Sequence, residues 1–159
     1  MNAEVKTYSR YIQKQIASIR DLLRGLTEEQ INWQPPLPGS NSLYVIASHV
    51  LGNVRAWVLG IACGQPMTRD RPAEFAASGS FADIDAAARK VSAEIEAALA
   101  AMDSARLDRR VVPSQELWGE GEPREISVRE ALVHVLEHAS AHLGHMQMTR
   151  DIVLRHVQV

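Results

Sequence analysis

Residues 43–63, LYVIASHVLGNVRAWVLGIAC, constrain the fold more than any other stretch of the chain. With Ser42 as N-cap they read as one helix reaching about residue 60 or 63. Its apolar residues, Leu43, Val45, Ile46, Val50, Leu51, Val54, Trp57, Val58 and Leu59, lie nearly all round the axis. A helix of this kind is central in its protein, or it buries a second face against another subunit. Ser48, His49, Asn53 and Arg55 interrupt the run, which argues against a membrane span. The outward Leu43, Val45, Leu51, Val58 and Leu59 would form an exposed apolar patch in a monomer, so a homodimer is expected. The alternative is that the proline-rich turn before the helix, or the 64–82 loop after it, covers the patch.

Three more segments show helical spacing, and no alternating strand pattern of useful length competes with them. The first runs from about residue 3 to 24, with Tyr8, Tyr11, Ile12, Ile16, Ile19 and Leu23 in register and Gly25 as its stop. TEEQ, at 27–30, has the shape of a capping box and predicts a short helical turn. WQPPLPGSN then breaks regular structure. An alanine-rich helix is expected from Asp83 as N-cap to about Met102, and residues 64–82 read as a loop. Residues 109–126 read as a loop or a short hairpin. A second capping box, SVRE at 127–130, opens a last helix that can reach about His156, roughly 40 Å at ~1.5 Å per residue. Four helices and no sheet predict an all-α four-helix bundle, antiparallel or crossover, as a single domain over residues 1–159.

Composition narrows the partners. A formal net charge of -2 gives no electrostatic reason to expect nucleic acid or an anionic membrane. The lone cysteine, Cys63, excludes an intrachain disulfide and fits a reducing compartment. The opening MNAEVKTYSRYIQKQ lacks the apolar core of a signal peptide, so a cytoplasmic location is expected. Cys63 itself reads as structural rather than nucleophilic, since no histidine neighbours it in sequence.

The chemistry is concentrated in HVLEHASAHLGH, residues 134–145, which hold four of the six histidines. On a helical wheel with His134 as the origin, Ala131, Val135, Ala139, Met146 and Val153 define the core face, between ~60° and ~140°. His138 at ~40° and His142 at ~80° point inward, whereas His134 and His145, the latter at ~20°, lie at the edge. The inner pair has the i, i+4 geometry that lets two imidazoles converge on one ion. It also fits two core histidines hydrogen-bonded within the fold. A further metal ligand has to come from another helix, and His49 is the one histidine outside the C-terminal third. Neither HExxH nor Glu-x-x-His occurs, so metalloprotease and ferritin-like di-iron chemistry lose support. No carboxylate is evident on the histidine face.

Two motifs carry a family resemblance. LEHASAHLGHMQ resembles the C-terminal helix motif of DinB/YfiT-like proteins, and INWQPPLPGSNSLYVIASHV resembles their tryptophan, proline-rich turn and histidine-bearing helix. Together, in this order, the pattern covers the whole chain. The resemblance implies a four-helix bundle with an open divalent-metal site, zinc or nickel, whose ligands fall on His49, His138 and His142. The chain departs from the family where HLGH places Leu143 for the usual arginine and His145 for the usual glutamine. His145 is therefore expected, with Asn53, to line the pocket without binding metal. Family members that use bacillithiol or mycothiol imply a metal-dependent transferase or isomerase acting on a small-molecule substrate with a low-molecular-weight thiol. The alternatives are a metal-dependent hydrolase of a small molecule and a non-catalytic metal- or ligand-binding module of a stress response.

Overall fold

The computed structural model describes residues 2–157. The chain runs α1 (Ala3–Leu23), α2 (Glu28–Asn32), α3 (Leu43–Arg55), a π-helical continuation (Ala56–Ala62) and α4 (Arg71–Phe75). It continues with α5 (Phe81–Ala100), a 3-10 turn (Ser104–Asp108), β1 (Arg110–Val111), α6 (Gln115–Trp118), β2 (Ile126–Ser127) and α7 (Val128–His156). The fold is all-α, with the strands limited to one two-residue antiparallel ladder.

The four long helices pack as a ring. α1 lies against α5 and α7, and α3 lies against the same two helices, so α1 and α3 sit diagonally. Of the consecutive long pairs only α3 and α5 are neighbours, while α1 to α3 and α5 to α7 connect across the ring, which makes this a crossover bundle. The local starts are those that side-chain capping dictates. The Asn2, Thr27, Ser42 and Ser127 side chains each accept a backbone N–H three residues on, and Gln30 and Glu130 complete capping boxes.

Two expectations about boundaries are corrected. α5 starts at Phe81 with Ser80 as N-cap, and Asp83 is the return partner of that capping box, accepting from the Ser80 N–H at 2.8 Å. An aspartate three residues after a serine takes the part usually given to glutamate, so the helix starts earlier. The 64–82 stretch is not all loop. Asp70 caps α4, with Pro72 in its first turn, where a missing N–H costs nothing. Between β1 and β2 the 109–126 hairpin carries the short helix α6.

α3 is central, as its all-round apolar character requires. Leu43, Val45, Leu51, Val58 and Leu59 are at most 8% exposed within the single chain. α4 and α2 pack on α3 from the sides that α5 and α7 leave open. The patch that led to the homodimer expectation is therefore buried within the single chain. Residues Leu43–Ala62 are long and apolar enough to cross a membrane by length and composition, yet 78% of the apolar window is buried in the fold. That is the signature of a core helix. Past Arg55 the winding changes, with Cys63 donating its N–H to Val58 C=O at 2.8 Å, five residues back. At Gly60 a Cβ would collide with Leu117 and Met67, so the missing side chain lets α6 close on the π-turn.

Candidate metal centre

One face of α3 and its continuation presents His49, Asn53 and Trp57 at four-residue steps, and one face of α7 presents His134, His138 and His142 at the same steps. The two rows meet along a cavity of about 510 Å³. Phe75 from α4, Trp118 from α6, and Arg69, Arg71 and Arg124 complete most of its wall and rim. A volume in this range suits a small-molecule ligand.

At the floor, one ring nitrogen from each of His49, His138 and His142 lies within 4.8 Å of the other two. His49 Nε2 and His138 Nε2 are 3.1 Å apart. Two nitrogens bound to one tetrahedral zinc at ~2.0–2.1 Å would stand about 3.3–3.4 Å apart, so a small separation of the rings would admit a shared ion where a hydrogen bond now fits. The Nδ1 atoms of His138 and His142 are buried with no hydrogen-bond partner among the described residues. Three imidazoles beside an open cavity fit a divalent ion that keeps positions free for water or substrate.

Burial sets the protonation of this cluster. Desolvation, with repulsion from His142 and His49, pushes His138 down to about 3. Desolvation, with repulsion from His49 and His145, pushes His142 down to about 4. Both rings are neutral at ordinary pH and carry lone pairs rather than charge.

Glu74 is the group that the sequence did not disclose. It comes from α4, and its Oε2 lies 3.0 Å from His49 Nδ1. Arg69, with a side chain 4% exposed, grips the same carboxylate through Nε to Oε1 and Nη2 to Oε2, each at 2.8 Å. Burial alone would raise the Glu74 pKa, but the hydrogen bonds from His49 and Arg69 outweigh it and hold the carboxyl below its usual value. The histidine face does carry a carboxylate, then, supplied from another element. Asp70 and Pro72, a helix-start pair in sequence, were the available signal for α4.

The other singled-out residues divide. Asn53 is 4% exposed and lines the cavity, with Oδ1 unpartnered among the described residues. His134, expected as an edge residue, is half-buried; it stacks on Trp57 with ring centroids 3.7 Å apart. Trp118 packs on the same indole at 5.2 Å, so Trp57 and Trp118 serve the cavity as well as the core. His145 is exposed and is absent from the lining of the main cavity. It borders a second cavity of about 310 Å³ beside the proline-rich turn, with Leu37 and Met148. Cys63 stays apart from the histidines, half-buried, and desolvation pushes its thiol up to about 11.

Comparison with known proteins agrees with this architecture. The solved structure of a DinB-like protein from Bacillus cereus ATCC 10987 matches with a TM-score of 0.67 at 20% identity, over 91% of this chain and 89% of that one. A DinB-like protein from Bacillus subtilis matches with a TM-score of 0.68 at 16% identity, over 96% and 94%. A conserved protein from Enterococcus faecalis matches with a TM-score of 0.70 at 15% identity, over 98% and 99%. At these identities the likeness is one of fold. No curated protein matches the sequence. The family model described as mycothiol-S-transferase matches residues 7–154, and the chain therefore belongs to that family, which is DinB/YfiT-like.

Proposed function

We propose that this protein is a metal-dependent S-transferase that joins a low-molecular-weight thiol of the mycothiol kind to a small electrophile. The observation that carries the reading is the convergence of three imidazole nitrogens, within 4.8 Å of one another, at a cavity large enough for such a thiol. His49, His138 and His142 are the proposed ligands of one divalent ion, zinc or nickel. When bound, the ion supplies the Lewis acidity that brings a thiol pKa toward neutrality.

The chain's own residues do the rest. Neutral His138 and His142 offer lone pairs without first losing a proton. Trp57, Phe75 and Trp118 give the thiol a dry wall, which strengthens electrostatics at the sulfur. Arg71 and Arg124 at the rim supply hydrogen-bond donors for the polar groups of thiol or electrophile. Asn53 is the proposed polar contact inside the subsite, and His145 lies outside it. Glu74 has both oxygens engaged by Arg69 and His49, so it is not a free general base of the kind that hydrolysis would require. A free cysteine and a thiol cosubstrate both suit a reducing cytoplasm, the proposed location.

The test is turnover of mycothiol with monobromobimane by tag-free protein, in metal-free and zinc- or nickel-loaded forms. Thioether formation that needs both metal and thiol supports the reading. Stoichiometric metal without turnover would favour the non-catalytic binding module instead.

A further inference from the structure

Gly52 sits on α3 one turn after Ser48, where a Cβ would run into the Glu74 carboxylate. The absent side chain leaves a notch on the helix surface, and the Glu74 head group occupies it. There Arg69 holds both carboxylate oxygens at 2.8 Å, and His49 Nδ1 approaches Oε2 at 3.0 Å. An ionised carboxylate only accepts hydrogen bonds, so the nitrogen facing it is an N–H. Arg69 Nη2 is 3.5 Å from the same Nδ1. Both are donors, and both donate into Oε2 rather than to each other.

A His49 ring that carries its single proton on Nδ1 turns a bare Nε2 toward His138. From this arrangement we infer that Arg69 and Glu74, seated in the Gly52 notch, form a positioning clamp that fixes the His49 tautomer and orientation and thereby sets the affinity of the histidine cluster for a divalent cation. The inference rests on the metal-binding reading above and assigns it residues outside the histidine triad. The bidentate grip matters because a carboxylate held from behind by a planar guanidinium cannot rotate away from the ring. Carboxylates placed behind metal-bound histidines fix the ring nitrogen that faces the ion and raise its basicity.

Gly52 gives the clamp a test that folding defects cannot mimic. Alanine is a better helix former than glycine, so Gly52→Ala favours α3 while it evicts the Glu74 head group. Gly144 on α7, where a Cβ would meet nothing within 4 Å, provides the matched control. Zinc affinity is measured by competition with a chromophoric chelator, and the His49 tautomer by long-range nitrogen–proton NMR on metal-free protein. Glu74→Ala and Gly52→Ala are expected to weaken zinc binding about 10–100-fold, and Gly144→Ala to leave it unchanged. Glu74→Gln keeps an acceptor for His49 and is expected to retain the Nδ1–H form, which Glu74→Ala loses. Zinc affinity within twofold of the parent in both Glu74→Ala and Gly52→Ala, or a parent His49 protonated on Nε2, overturns the clamp. A parent that binds no zinc but holds His49 as Nδ1–H would refute the metal reading while leaving the tautomer assignment standing.

Discussion

His49 Nε2 and His138 Nε2 face each other at 3.1 Å, although the residues are 89 positions apart and belong to different helices. Two lone pairs at that distance repel, so a proton or a cation has to lie between them. With the His49 proton drawn to Glu74, the metal-free chain places a proton on His138 Nε2, and a bound cation would take its place as that ring's proton moves to Nδ1.

Replacement of His138 by alanine therefore removes one of three facing donors and is expected to abolish stoichiometric metal. His145→Gln, which restores the family's usual residue outside the main cavity, is expected to leave metal content unchanged. Elemental analysis of tag-free protein checks both. A full equivalent retained by His138→Ala would sink the ligand set.

Acid should destabilise the metal-free protein in a defined window. His138 and His142 bind protons less readily folded, at about 3 and about 4, than an ordinary histidine near ~6.5. The unfolded chain thus takes up the extra protons as pH falls, and stability present above about 6.5 drains away on acidification toward 4. Melting temperature in the presence of chelator should fall from pH 7 to pH 4.5. The fall should be shallower in a His138→Gln/His142→Gln variant, and equal slopes would contradict the assigned cause.

Trp57 joins the cavity wall to the last helix through its stack on His134. Trp57→Leu should raise the KM for thiol several-fold while one equivalent of metal remains bound. Loss of metal together with activity would mean that the indole supports the ligands rather than the substrate.

The corrected start of α5 is testable by stability alone. Ser80→Ala deletes the N-cap acceptor and should cost about 1 kcal/mol in denaturant unfolding. A change below a few tenths would return the cap to Asp83.

The long helices were legible because their signals are local. Ser42 and Ser127 cap the helices they precede, and the wheel on 134–145 separated His138 and His142 from the solvent side by spacing alone. What the sequence withheld depends on packing between segments. Glu74 reaches His49 only because α4 folds across α3 into the space left by Gly52. His134 is half-buried because Trp57 stacks on it, and a regular α-helical wheel does not carry through the π-helical winding that places Trp57. The covered patch on α3 is the same lesson: an all-round apolar helix announces that it will be buried, but not by which part of the chain.

Metal-dependent thiol transfer stands or falls on one rate: thioether formation from mycothiol and monobromobimane in a single preparation. It is assayed as purified, after chelation, and after return of one equivalent of zinc or nickel. Chelation is expected to abolish the enzyme-dependent rate, and a single equivalent to restore it in the parent but not in His138→Ala. A chelated protein that keeps its full rate, or a metal-loaded parent that shows none, would contradict the proposed chemistry.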